Sequence, residues 1–264
     1  RCSINAEVGR EREMEVRHTS KPKHICVIGG GPAGMEAARI LALRNHRVTL
    51  IEKGKELGGL LKFAGVPYFK AELRSFLNYL KTQVEKSKIE ILYNRLATLQ
   101  LVKEIGPDSV VLATGSSMGK PEIPGAQRPS VATVLELLSG EFQAQGKVVV
   151  VGGAAMGCEV AAHIASSGKK VTIVEILSEI AMDLEPRCRL ALLELLREKR
   201  IEILTSWKLE RIEGGEVLLI GRDGQRLEIT TESVILAFGF KSNQELLNPL
   251  KENFTEVYAI GDCV

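Results

Sequence analysis

Two glycine-rich turns, built to one internal spacing, constrain this chain more than any other feature. The first follows an apolar run: Ile25-Cys26-Val27-Ile28-Gly29-Gly30-Gly31-Pro32-Ala33-Gly34. The second reads Val148-Val149-Val150-Val151-Gly152-Gly153-Ala154-Ala155-Met156-Gly157. An acid closes the next apolar run in each case, Glu52 after Val48-Thr49-Leu50-Ile51 and Glu175 after Val171-Thr172-Ile173-Val174. Each acid stands 23 residues beyond the first glycine of its turn. Strand, tight turn, helix start, strand and terminal acid make up the βαβ fingerprint of a dinucleotide site. Two such sites in one polypeptide point to two cofactors that exchange electrons.

The residue types follow from the task. Gly29 permits the turn, Gly31 lets backbone approach a pyrophosphate, and Gly34 lets the helix lie close to the strand. The pyrophosphate then faces unpaired N–H groups at the positive end of the helix. Glu52 accepts from an adenosine ribose hydroxyl. The second site departs at its middle position, where Ala154 replaces glycine. Its methyl crowds the pyrophosphate, so a fold that no longer binds nucleotide stays open there. Glu175 suits a free 2′-hydroxyl and repels a 2′-phosphate, and no Lys or Arg follows it until Arg187. That favours NADH over NADPH.

Length and composition set outer bounds. The 264 residues suffice for two domains, and 45% hydrophobic with 26% charged content suits globular cores. A net charge of +2 gives no reason to expect nucleic acid or a membrane surface as partner. No apolar run reaches transmembrane length, and the first residues lack the apolar segment of a signal peptide, so a cytoplasmic setting is expected. Cys2, Cys26, Cys158, Cys188 and Cys263 form no CxxC or CxxxxC pair, which argues against a redox-active dithiol. Cys26 and Cys158 read as small buried hydrophobes. His18, His24, His46 and His163 share no ligand spacing, so packing or surface roles are expected rather than metal.

Along the chain, residues 1–23 read as a polar arm without a core. A FAD-binding domain is expected over 24–118 plus 240–264, and an NAD(P)-binding domain over 119–239. Residues 68–86 carry Leu73, Phe76, Leu77, Leu80 and Val84 on one helical stripe. Strands are expected at Ile89–Tyr93, Ala97–Val102 and Val110–Ala113, and a helix at Val131–Leu138. A second amphipathic helix is expected over Arg187–Arg200 and a three-stranded meander over 208–230. The closing strand Val257-Tyr258-Ala259-Ile260 reads as a return to the first domain.

Together these motifs resemble the two-dinucleotide-binding-domain flavoproteins, an α/β class with two Rossmann-like domains, the second inserted in the first. The resemblance implies FAD at the first fingerprint and NAD(H) at the second. It implies FAD contacts from Gly29, Gly31, Pro32, Ala33, Gly34, Glu52, Lys53, Gly58, Gly59 and Ala97. Further contacts come from the strand end Ala113-Thr114-Gly115, and from Gly261-Asp262, whose acid binds the ribityl chain. For the nicotinamide nucleotide it implies Gly152, Gly153, Ala154, Ala155, Met156, Gly157, Glu159, Glu175 and Gly239. Phe238-Gly239 is similar to the family's turn on that side. Glu159 equally suits a plain helix N-terminal carboxylate.

The segment Cys2-Ser3-Ile4-Asn5-Ala6, followed by Gly9-Arg10-Glu11, resembles the last cluster-ligand segment of the NADH:flavin oxidoreductases, which include 2,4-dienoyl-CoA reductase, 2-enoate reductase and trimethylamine dehydrogenase. Those enzymes add an FMN-binding (β/α)8 barrel and a [4Fe–4S] segment. Cys2 would then be one of four cluster ligands, and one thiolate alone cannot hold a cluster. The resemblance implies a fragment serving as the electron-input part of such an enzyme, whose further partner is the FMN barrel of the same polypeptide. The implied substrate of the longer enzyme is an enoate or enoyl-CoA. Hydride transfer needs two aligned rings rather than a protein acid or base, so no catalytic side chain is named. Two alternatives stand beside it: a vestigial nucleotide-binding domain, and a stand-alone NADH:acceptor reductase. Oligomeric state is open.

Overall fold

The computed structural model describes residues 7–264, so Cys2 lies outside the described residues. The chain divides into two compact units: Arg1–Ser117 with Lys241–Val264, and Met118–Phe240.

The first unit opens with β1 (His24–Ile28), α1 (Pro32–Leu43), β2 (Arg47–Ile51), the single turn α2 (Leu61–Ala64) and α3 (Ala71–Lys86). It continues through β3 (Ile89–Leu92), α4 (Leu99–Ile105) and β4 (Ser109–Leu112). The chain crosses out through β5 (Ser116–Met118). The second unit holds β6 (Val131–Thr133), α5 (Val134–Ser139), β7 (Val148–Val151), α6 (Ala155–Ala165), β8 (Val171–Glu175), α7 (Pro186–Glu198) and β9 (Glu202–Thr205). The meander β10 (Trp207–Glu213), β11 (Glu216–Gly221) and β12 (Arg226–Thr230) follows, then β13 (Ser233–Leu236). The chain returns through β14 (Phe240–Ser242), which pairs with β5, and ends in α8 (Leu247–Asn253) and β15 (Val257–Ala259).

The two main sheets share one plan. Their orders are β15-β4-β1-β2-β3 and β6-β13-β7-β8-β9, and every pairing in them is parallel. Central strands of such sheets are covered on both faces and therefore read as unbroken apolar runs. Val27, Leu50 and Val150 are fully buried accordingly. Each such side chain contributes about 1.5–3 kcal/mol by leaving water. On α3 the stripe buries Leu77, Leu80 and Val84 against Val27, Leu50 and Met35. The meander closes over the second sheet, where Leu209, Ile212, Val217 and Leu219 share a core with Val149, Val151 and Leu236.

Two expectations are corrected. Ala97–Val102 is not a strand: Thr98 caps a helix there, its Oγ1 accepting from the Leu101 amide at 3.2 Å. Leu99, Val102 and Ile105 recur at helical spacing and meet Cys26, Ile28 and Leu112. Gly106, at φ +61°, ends the helix. Val131–Leu138 is not helical throughout either. Its first three residues form β6, with Val131, Ala132 and Thr133 registered on Val234, Ile235 and Leu236. Thr133 then starts α5 through a reciprocal capping box with Glu136.

Candidate functional site

In open parallel sheets, ligands bind beyond the strand C-termini where the strand order reverses direction. That point lies between β1 and β4 in the first unit and between β7 and β13 in the second. Both glycine fingerprints stand there.

At the first, Gly29 takes φ +108° directly after β1, and a Cβ on it would run into the Ala113 carbonyl. A Cβ on Gly34 would collide with the Gly29 carbonyl and come within 3.4 Å of the Ala113 methyl. These two glycines are thus required by backbone-to-backbone contact between β1, α1 and the end of β4. Gly31 differs. Its φ of −74° suits any residue, and the nearest atom to a Cβ there would be Gly59 Cα at 3.9 Å. The space above Gly31 is open, as a site for a phosphate must be. Pro32 opens α1 at a position whose N–H has no helical partner to lose.

Glu52 is buried and spans the turn. Its Oε2 accepts from the Gly30 amide at 2.8 Å and its Oε1 from the Gly54 amide at 2.6 Å. The acid thus positions the turn while retaining further lone pairs. The loop beyond it folds back: the Gly58 amide donates to the Gly30 carbonyl at 2.8 Å. Gly261 meets the fingerprint as well, since a Cβ on it would stand 2.8 Å from the Ala33 methyl. Asp262 beside it is exposed. Lys53 is exposed, and Ala97 packs against the core below α4. Thr114 is tied down locally, its Oγ1 donating to the Asn243 carbonyl at 2.7 Å. Asn243 replies through Nδ2 to the Thr114 carbonyl at 3.0 Å and through its amide to the Gly115 carbonyl at 2.9 Å. Nothing in the local sequence marks Asn243, because its partner Thr114 lies 129 residues away.

The second fingerprint repeats this construction 123 positions later. Gly152 also takes φ +108°, and a Cβ on it would stand 2.6 Å from the Ala237 carbonyl oxygen. The buried Glu175 accepts from the Gly153 amide at 2.5 Å and from the Leu177 amide at 2.8 Å, as Glu52 does from Gly30 and Gly54. The Ala181 amide donates to the Gly153 carbonyl at 2.7 Å, as Gly58 does to Gly30. Ala154 sits at φ −66°, close to the φ of Gly31, so its methyl adds no backbone strain; it is exposed. Ala155 and Met156 begin α6, and Gly239 stands clear of other atoms beyond β13. Glu159 is half-buried, one turn into α6.

One contact has no counterpart among the described residues of the first unit. The Ala155 amide, first in α6, donates to Asp183 Oδ1 at 2.9 Å.

Two cysteines lie beside the fingerprints as buried free thiols, Cys26 in β1 and Cys158 in α6. Burial pushes the Cys26 thiol up to about 12. Burial, aided by the charges of Asp183, Glu175 and Glu159, does the same for Cys158. Such thiols are inert at neutral pH. Among the described residues no group of three or more His, Cys, Asp or Glu could hold a metal, and no helix is long and apolar enough to cross a membrane.

Residues 23–264 match the family model of the pyridine nucleotide-disulphide oxidoreductases. The chain belongs to that family. Membership supports FAD and a pyridine nucleotide as its cofactors. The sequence is 35% identical over its whole length to an NADH oxidase of Thermoanaerobacter brockii, covering 41% of that protein. It is 33% identical over 99% of its length to a cinnamate reductase of Clostridium sporogenes, covering 39%. The fold superposes on a 2-naphthoyl-CoA reductase with a TM-score of 0.92 at 30% identity, over 99% of this chain and 40% of that one. The chain therefore spans about two fifths of the length of these relatives.

Proposed function

We propose that this chain is the electron-input module of an NADH-dependent flavin oxidoreductase, with FAD held at the first fingerprint and NADH at the second. The observation that carries the reading is the repeated construction. A buried acid, a glycine turn and a helix start stand at the switch point of each of two parallel sheets in one chain. Gly31 fits a nucleotide on the same ground, because its backbone leaves open the space that a side chain would fill. FAD supplies a two-electron acceptor for hydride from the nicotinamide. The protein's own part is binding and orientation. Gly31 and the start of α1 would face the flavin pyrophosphate, Glu52 the adenosine ribose, and Asp262 the ribityl chain. Lys53, Gly58, Gly59, Ala97 and Ala113–Gly115 would complete that site. Gly153 to Gly157 would take the NADH pyrophosphate, with Glu175 on its ribose and Glu159 and Gly239 toward the nicotinamide.

The relatives' additional length supports a further part of the proposal. In a longer polypeptide, electrons would continue through a [4Fe–4S] cluster, with Cys2 as one ligand, to FMN in a barrel domain that reduces an enoate or enoyl-CoA. The named cinnamate reductase and naphthoyl-CoA reductase support that substrate class.

The test is a visible spectrum of the purified protein with FAD, before and after anaerobic NADH. A protein-bound flavin band that bleaches is the expected result. Bound flavin that stays oxidised would overturn electron input. The second reading, a unit that holds nucleotide without passing electrons, would then stand; the methyl of Ala154 at the phosphate position favours it.

A further inference from the structure

The two fingerprints share their first two glycines, their buried acid and the hydrogen bonds that fold the following loop back, so the positions where they differ can be compared directly. The loop after each acid folds back over its glycine turn. Leu57 and Ile180 occupy the same place: Cβ atoms built on Gly30 and Gly153 would stand 2.5 Å from a Leu57 methyl and 2.6 Å from an Ile180 methyl. Gly58 corresponds to Ala181 through the matching hydrogen bonds to Gly30 and Gly153. Two residues further on, Leu60 corresponds to Asp183. Helix α1 begins with Pro32, which has no N–H, and no charged side chain stands in its loop at that place. Helix α6 begins with Ala155, and the carboxylate of Asp183 accepts its amide.

We infer that Asp183 is an internal competitor of the dinucleotide pyrophosphate, holding the first amide of α6 until nucleotide displaces it. This rests on the reading of the second fingerprint as the NADH site. The amides at a helix start and the positive end of its dipole are what a pyrophosphate uses. A carboxylate already seated there satisfies one of those donors and repels an incoming anion. The side chain is exposed and can turn into solvent. Its backbone cannot move so freely, because the buried Ala181 is held at φ +53° and bonded to Gly153. Glu175 already accepts the Gly153 amide in the same turn, so Asp183 adds a second carboxylate bonded to the backbone there. The consequence is a division of labour. Among the described residues no carboxylate accepts an amide of α1's first turn, so the first site would retain its nucleotide. The second is weakened by Asp183, which suits a nicotinamide nucleotide that arrives, reacts and leaves.

The experiment is titration calorimetry of the whole chain with NADH, ADP-ribose and adenosine. Asp183→Asn keeps the shape and an acceptor oxygen but removes the charge; Asp183→Leu installs the residue of the first unit. Both variants should bind NADH and ADP-ribose about three- to tenfold more tightly than the wild type. Adenosine, which has no phosphate, should bind all three alike, whereas a general loosening of the loop would move it too. Unchanged or weaker binding of NADH by Asp183→Asn, with normal binding by the wild type, overturns the inference and leaves the NADH site standing. Failure of wild type and variants alike to bind NADH refutes the site itself, and the inference with it.

Discussion

Gly31 and Gly34 lie three residues apart in one turn, and the same change should do opposite things at the two. A Cβ on Gly34 would overlap the Gly29 carbonyl and come 3.0 Å from its carbon, both backbone atoms held by β1. Relief requires α1 to move off the sheet. Overpacking of that kind costs about 3 kcal/mol, or about 10 °C of melting temperature for a chain this size. Gly31→Ala meets nothing nearer than 3.9 Å, and φ is already −74°. The loss of unfolded-state freedom should even stabilise it by about 0.4–1 kcal/mol. Its methyl would instead occupy the space above the turn, so flavin affinity should fall about tenfold or more, by the loss of close phosphate approach. Differential scanning fluorimetry without flavin and flavin fluorescence quenching separate the two quantities. Equal destabilisation by both substitutions, or unaltered FAD binding by Gly31→Ala, would refute the assignment of separate roles.

Glu175→Gln should lower the preference for NADH over NADPH by about tenfold, by removing the charge that opposes a 2′-phosphate. It should also lower stability by about 1–3 kcal/mol, because a side-chain amide offers only one acceptor oxygen to the Gly153 and Leu177 amides. Comparing nucleotide Kd values and urea midpoints checks both. Stability should decline below neutral pH for a different reason. Burial lowers the imidazole pKa of His163; burial and the nearby Arg47 lower that of His24; burial, Arg44 and Lys23 lower that of His46. The fold thus favours the neutral rings. Their contribution is full above the unfolded value near 6.5 and is lost as pH falls through the depressed folded values. Urea midpoints should drop between pH 7.5 and 5.5, and His163→Gln should flatten that dependence. An unchanged slope would exclude His163 as a contributor.

The fingerprints were legible because each is a local pattern whose geometry its own residues enforce. The strand, the turn glycine and the helix lie within about ten residues, and the acid's distance counts one helix and one strand. Ala97–Val102 misled because its apolar residues also fit a short strand; the deciding signals were Thr98 before the run and Gly106 after it. The strand at Val131–Thr133 was hidden because it is three residues long and runs straight into a helix, and only pairing with β13 makes it a strand. Asn243 and Asp183 could not be read locally. Asn243 acts on residues brought close by the return of the chain. Asp183 becomes visible once the two fingerprints are aligned on each other, where an acid stands at the place of Leu60 in loops of equal length.

The edge strands of the two sheets carry a consequence for synthesis. In the second unit the edge strand β6 precedes β7, so everything that sheet needs lies between Met118 and Phe240. In the first, the edge is β15, registered on Val110 to Leu112 from residues 257–259. On the ribosome the order of completion is therefore inverted. The half translated first waits with one side of β4 unpaired while the half translated later closes its sheet. A nascent chain arrested after Phe240 has emerged would already protect the second unit from protease, and the first would gain the same protection only when Val257–Ala259 is released.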